Sequence, residues 1–190
     1  MAYGDTGKIL VADLTSGTVT VDEHDDAWYR KYMGGAAMSM AYILRFVPPK
    51  ADPLGPKNVL VFDGGPLTGT AMSGQSRMSV NCKSPLSGLI GDAQVGRFFP
   101  AKLKMAGFDA VVVKGKSPFP VYLWIKDGQY ELRDASRYWG MGIGTFKATG
   151  MPTAASLDRY GLDWAATAPG AHPLPGTGGL NLPPGSTASK

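Results

Sequence analysis

Histidine and cysteine are almost missing from this chain. It has two histidines, His24 and His172, and a single cysteine, Cys82, in 190 residues. One thiol excludes an intrachain disulfide framework and a C-x-x-C site. These three residues cannot complete a protein-ligated zinc or iron–sulfur site by motif. No spacing brings either histidine to a serine or to Cys82 in a triad-like arrangement. Cys82, on an alternating run, reads as a small core residue. Long apolar runs are missing as well. The longest, Ala36 to Leu44, contains Ser39 and stops at Arg45, well short of the roughly 18 residues of a membrane span. The N-terminus, M-A-Y-G-D-T-G-K, lacks a basic region followed by an apolar core, so no secretory signal is read. The scarcity of cysteine suits a reducing cytoplasm, which is the expected location. Charge is sparse, 18% of residues with a net of +4, and no basic run is interleaved with aromatics, so no nucleic-acid partner is expected. A mild cationic concentration at Arg97, Lys102, Lys104, Lys114 and Lys116 leaves two readings, a solvated face or neutralisation of cofactor phosphates.

Glycine and proline are abundant instead, 26 and 15 residues. They concentrate in the stretch from Gly64 to Gly88, which follows an apolar strand at Val59 to Phe62 and contains only two charges, Arg77 and Lys83. Glycine lets backbone approach a ligand closely, and successive N–H groups in turns form nests for anions. A glycine/hydroxyl loop closed by an arginine suits a polyanionic cofactor. An ordinary long β-hairpin loop suits the same composition equally well. Arg77 is the only arginine between Arg45 and Arg97, and its planar fork fits a phosphate or a hydrogen-bonding ring better than lysine does.

Taken in order, Lys8–Leu14 and Thr18–Glu23 read as a hairpin around Thr15-Ser16-Gly17. Asp25 and Asp26 offer caps for a helix over Ala27–Met33, and Ala36–Phe46 is a second helix closed by Pro48-Pro49. Asn58–Asp63 is a buried strand, Arg77–Lys83 alternates as the next one, and Gly91–Gly96 reads as a flexible segment. Arg97–Ala106 is a helix that tolerates Pro100 in its first turn, and Phe108–Lys114 is a strand. Val121–Ile125 and Gln129–Arg133 form a second hairpin. It echoes the first at a constant offset, with Gly17 matching Gly128, Val19 matching Tyr130 and Val21 matching Leu132, so a two-fold repeat is expected. The acidic residues Asp13, Asp22, Asp25 and Asp26 read as caps and a solvated edge, and Gly140-x-Gly142-x-Gly144 lacks the full dinucleotide spacing. Residues 148–190 are dominated by Gly, Pro, Ala, Ser and Thr with few charges, and are expected to be disordered.

Several segments together carry a resemblance. They are the opening G-K-I-L-V-A-D-L-T-S-G-T-V, the Gly34-Gly35 pair, the Asp52-Pro53-Leu54 loop, G-P-L-T-G-T at Gly65–Thr70, Arg77, K-S-P-L-S-G at Lys83–Gly88, L-K-M-A-G-F-D-A-V-V-V-K-G-K at Leu103–Lys116, and Asp134-Ala135-Ser136 with Trp139-Gly140. In this order they resemble the N-terminal domain of the aldehyde ferredoxin oxidoreductases, tungsten or molybdenum bis-pterin enzymes, over roughly residues 3–147. The resemblance implies an α+β fold of two related β-sheet halves with short helices, residues 1–147, followed by a tail, 148–190, outside the family pattern. It implies that the domain is a base for two pterin dithiolenes whose sulfurs hold the metal, which accords with the poverty of His and Cys. It implies cofactor contacts at Arg77, Ala93, Gln94, Val95, Gly96, Gly69 and Thr70, with the Gln94 backbone carbonyl toward a magnesium ion. Departures are Gly34-Gly35-Ala36-Ala37 in place of G-G-x-G, Gln94 in place of asparagine or histidine, and Arg97 in place of glycine.

The function so implied is aldehyde oxidation to carboxylate, with electrons passing through a [4Fe–4S] cluster to ferredoxin. The cluster cysteines and catalytic acid/base residues belong to later domains of the family, so this chain is expected to be a truncated or interrupted product, inactive alone. The missing domains could be a separate chain. The alternatives are a non-catalytic pterin- or partner-binding module or small subunit, and a β-rich interaction domain without ligand. An exposed apolar interface is expected in each case.

Overall fold

The structure is a computed structural model that describes residues 4–96 and 98–140. The expectations for Arg97, for the Gly142 and Gly144 positions, for His172 and for the 148–190 tail lie outside the described residues.

Among the described residues, eight strands and three short helices follow in the order β1 (Lys8–Asp13), β2 (Thr18–Glu23), α1 (Asp26–Tyr32), α2 (Ala36–Phe46), β3 (Val59–Gly64), β4 (Met78–Lys83), β5 (Ile90–Val95), α3 (Phe99–Met105), β6 (Ala110–Lys114), β7 (Val121–Lys126) and β8 (Gln129–Asp134). Six strands form one sheet in the order β2-β1-β6-β3-β4-β5, and β7 and β8 form a two-stranded sheet. Only the β1–β6 pair is parallel. This is the expected α+β architecture, with the two sheets unequal in strand number.

The strands at the centre of the large sheet are apolar on both faces, as strands covered on both sides must be. Ile9, Val11, Val59, Val61, Ala110 and Val112 face α1 and α2, where Tyr29, Met38, Tyr42 and Ile43 complete a core. Leu10, Phe62, Val111 and Val113 face the other way, toward Leu103 of α3. The second hairpin packs on that same side through Val121, Leu123, Ile125, Tyr130 and Leu132. The repeat-matched residues Val19, Val21, Tyr130 and Leu132 therefore share one core, and the matched turns both close on a glycine with positive φ, Gly17 at 69° and Gly128 at 80°.

Local signals account for most boundaries. Asp25 caps α1 by accepting from Trp28 N–H at 2.9 Å, and Pro100 sits in the first turn of α3. The segment Gly91–Gly96 departs from expectation, because Ile90–Val95 is a paired strand. Its composition disfavours strand, but pairing is decided by the neighbour. The Ser84–Leu89 turn aligns β5 on β4 through Ser84 N–H to Leu89 O at 2.7 Å, and Asn81 Nδ2 donates to Asp92 Oδ1 at 2.9 Å. That turn projects Leu86, which is 96% exposed, from the end of the sheet where Lys83 and Ile90 pair.

Two buried carboxylates organise the opposite end, where β3 finishes and β6 begins. Asp109, 1% exposed, accepts from Thr6 N–H and Gly7 N–H at 2.9 Å, from Tyr29 OH at 2.8 Å and from Lys104 Nζ at 2.5 Å. Burial opposes its charge, but Lys104 and these donors hold its carboxyl below the usual range. Asp63, 0% exposed, accepts from Gly35 N–H at 2.9 Å and from Ser39 Oγ at 3.4 Å at the start of α2. No cation pairs with it among the described residues, and burial pushes its carboxyl well above the ordinary value. Gly34 lies so close to the end of β3 that an added Cβ would stand 2.4 Å from Gly64 O, and its φ is +85°.

Gly34→Ala is expected to cost about 2–3 kcal/mol in chemical denaturation, from left-handed strain plus a backbone clash. Gly74→Ala, at φ +80° with open space around it, should cost only about 1 kcal/mol. Asp63 adds a pH dependence of known sign. A raised folded-state pKa favours the fold below the unfolded value near 4, and that contribution is lost as pH rises through the folded pKa. Asp63→Asn removes this titration, so its stability relative to wild type should rise with pH above about 4 and level off once Asp63 is ionised. Denaturation curves between acid and neutral pH check this, and a pH-independent difference would refute it.

Candidate functional site

The sheet topology brings the glycine-rich segments to one end. β3 leaves the sheet at Gly64, β4 enters it at Met78 opposite Gly64, and β5 leaves it at Val95 opposite Met78. The Gly65–Arg77 loop and the Gly96 turn are therefore neighbours. The stretch is therefore a long hairpin loop between adjacent antiparallel strands, lying beside the Gly96 turn.

Arg77 is the last loop residue before β4, and its side chain is exposed. It makes no ion pair among the described residues. Its stem runs beside Gly96, where an added Cβ would lie 3.7 Å from Arg77 Cδ and 3.8 Å from Nε. A Cβ at position 96 would thus make ordinary van der Waals contact with the Arg77 stem, which places the guanidinium beside this turn. Ala93 and Gln94 are exposed on β5 and pair with Val80 and Ser79, while Val95 pairs with Met78. β5 is the terminal strand of the sheet, so alternate backbone N–H and C=O groups along it point away from β4 and are available to a ligand. Among the described residues, Arg77 thus lies beside Gly96 with no ion pair on its guanidinium, next to the end of a strand edge that no further strand covers. A cationic fork and edge N–H groups suit an anionic, planar group.

Gly69 and Thr70 belong to the same loop, and Gly69 packs against α3. Gly69, at φ +83°, would meet Ala101 Cα at 3.3 Å if it carried a Cβ, and Thr70 Oγ1 donates to Leu67 O at 2.9 Å. Their observed roles are packing and loop closure. Gly35 is closer to the sheet, with its Cβ position 3.6 Å from Ser79 Oγ.

Two members of the cationic concentration read in the sequence, Lys104 and Lys114, are held in ion pairs away from Arg77. Lys104 is turned inward to Asp109 and to Asp5, at 2.5 Å and 3.6 Å. Lys114 ends β6 at the far end of the sheet, paired with Asp13 at 2.8 Å. A depression of about 260 Å³ lies there between β1, β2 and α2, lined by Asp13, Asp22, Arg45, Phe46 and Lys114 among others. Its cations are both matched, Arg45 by Asp22 at 2.6 Å, so it offers no net charge. His24 stacks on Trp28 at 3.8 Å and meets Tyr42 OH at 2.9 Å, a packed aromatic role. Among the described residues no group of three or more His, Cys, Asp and Glu could hold a metal, and no helix is long and apolar enough to cross a membrane.

Sequence reasoning missed Thr68. Its Oγ1 accepts from Gly65 N–H at 2.9 Å and donates to Arg77 O at 3.1 Å. It also missed Asp63 and Asp109. Each is an aspartate at the end of an apolar run beside glycine or an aromatic, and that placement of a charge next to buried strand was the available signal.

Comparison with known proteins bears on this end of the molecule. The family model "Aldehyde ferredoxin oxidoreductase, N-terminal domain" matches residues 9–155. The chain is 42% identical over 147 residues to the tungsten-containing aldehyde ferredoxin oxidoreductase of Pyrococcus furiosus, covering 77% of this chain and 24% of that protein. It is 43% identical over 146 residues to the enzyme of the same name from Thermococcus kodakarensis, with the same coverage of each. The WOR-like subunit of an aliphatic sulfonate oxidoreductase from Pyrococcus furiosus is 35% identical over 143 residues, covering 74% of this chain and 23% of that protein. Among solved structures, the active-site complex BamBC of benzoyl coenzyme A reductase with 1,5-dienoyl-CoA aligns with a TM-score of 0.76 and 34% identity, over 83% of this chain and 24% of that one. The chain spans about a quarter of the length of these relatives. The matched strands, loops and helices are those that build the open end of the sheet, and the chain belongs to the aldehyde ferredoxin oxidoreductase family, matching its N-terminal domain over residues 9–155.

Proposed function

We propose that residues 4–140 form the pterin-binding base of an aldehyde-oxidising tungsten or molybdenum enzyme. The observation that carries this is the juxtaposition of Arg77 and Gly96 beside the open edge of β5. The residues fit such a group. Arg77, beside Gly96, presents donors to planar or phosphate oxygens. The backbone of Ala93–Gly96 supplies N–H groups to phosphate and, at Gln94, a carbonyl for a magnesium ion. Gly69 and Thr70 shape the loop over α3. When bound, the pterin-held metal would supply the two-electron conversion of an aldehyde to a carboxylate, with electrons leaving through a [4Fe–4S] cluster to ferredoxin. This chain's own residues bind and orient. With one cysteine in the sequence, a four-cysteine cluster must draw ligands from other polypeptide. Turnover by these residues alone is therefore not expected.

A second reading is a binding subunit within a larger complex. It is favoured by two relatives whose names place them in assemblies, a WOR-like subunit and the BamBC complex. Co-purification of a separate cluster-bearing polypeptide would select it.

The test is expression of the 190-residue chain in a host that makes the pterin cofactor, with pterin measured by fluorescence after oxidation and metal by mass spectrometry. Wild type should retain pterin. Arg77→Ala should lower retention roughly 10- to 100-fold, the equivalent of about 1.5–3 kcal/mol for a charge-assisted hydrogen bond. Equal retention would remove Arg77 from the site. Viologen-linked aldehyde oxidation by the chain alone would overturn the base-only reading.

A further inference from the structure

We propose that Thr68 is the positioning residue of Arg77, a role that rests on the pterin-base reading for its ligand but not for its geometry. The loop from Gly65 to Arg77 has two mouths, and one hydroxyl spans both. Thr68 Oγ1 accepts the Gly65 N–H at 2.9 Å where the chain leaves β3, and donates to the Arg77 carbonyl at 3.1 Å where the chain enters β4. Only a hydroxyl does this, because it is donor and acceptor at one atom. Valine has the same outline and neither function.

The hydroxyl is locked in place. Thr68 is 8% exposed, its own N–H bonds Gly65 O at 3.0 Å, and its Cγ2 lies 3.4 Å from where a Cβ on Gly64 would stand. The next residue continues the closure, with Gly69 N–H bonded to Gln75 O at 3.2 Å. Arg77, by contrast, lies one residue outside the strand ladder, whose last β3–β4 pair is Gly64 with Met78. The bond from Thr68 fixes its peptide plane, and with it the direction in which the Cα–Cβ bond sends the guanidinium past Gly96. The fold therefore sets an exposed, unpaired arginine by a buried hydroxyl nine residues earlier.

Three variants of the full chain test this: Thr68→Val, Thr68→Ser and Arg77→Ala. Amide hydrogen exchange reads the bridge without any ligand. In Thr68→Val the amides of residues 65–78 should exchange at least about tenfold faster while those of β1 and β6 keep their protection. Thr68→Ser should restore protection to within about twofold, since the hydroxyl is retained. Pterin retention reads the consequence, with Thr68→Val falling toward Arg77→Ala and Thr68→Ser staying near wild type. Unchanged exchange in Thr68→Val overturns the proposal, as does wild-type pterin retention by a Thr68→Val chain when Arg77→Ala has lost it. A loss of protection spread equally over β1 and β6 also overturns it, since Thr68 would then be a general stability residue. If wild type and Arg77→Ala retain pterin equally, the cofactor role of Arg77 fails, and the exchange result still decides whether Thr68 sets its position.

Discussion

The ion pair between Asp109 and Lys104 holds together the end of the sheet where β3 finishes and β6 begins. Through one carboxylate the N-terminal segment at Thr6 and Gly7, helix α1 at Tyr29 and helix α3 at Lys104 are tied to a single point. The backbone of the same residue joins β1 and β3, through Asp109 N–H to Lys8 O at 2.9 Å and Gly64 N–H to Asp109 O at 3.2 Å. Such a pair contributes little relative to a well-packed apolar substitute, yet removing one partner leaves a buried charge and costs about 3–5 kcal/mol. Its value here is geometric, because three segments meet at its carboxylate and the Asp109 backbone joins them to β1 and β3.

Asp63 shows what the same carboxylate does without a cation. It lies at the same end of the sheet and is equally buried, but its donors are the uncharged groups of Gly35 and Ser39. Burial then dominates, and the neighbouring Asp109 charge adds to the effect. The two aspartates move in opposite directions for a stated reason: one has Lys104 and the other does not. Between them they fix the Gly34-Gly35 turn and the end of β3, the platform from which the Gly65–Arg77 loop rises.

Much of this was legible in the sequence. The continuous apolar runs of β1, β3 and β6 announced strands covered on both faces, and β2 and α2 fall where alternation and proline placed them. Arg77 stood out because it is isolated at the end of a glycine loop. Other features depend on partners distant in sequence. Ile90–Val95 is a strand only because β4 and the Ser84 turn present a template. Lys104 looked like a candidate for phosphate neutralisation because nothing local shows that Asp109 claims it. Thr68 is one of several hydroxyls in its stretch, and its importance depends on residues 65 and 77 meeting in space. The pattern is consistent: periodic signals give elements, while polar contacts that close loops are set by topology.

The parallel pairing of β1 with β6 has a consequence for the order of events during synthesis. The hairpins β1–β2, β3–β4 and β4–β5 close between near neighbours and can form as the chain emerges. The bond from Thr6 to Asp109 spans 103 residues, and long-range closures of this kind come late. Thr6 and Gly7 are thus seated later than the hairpins that follow them, and the loop end takes its final form only once β6 has been made.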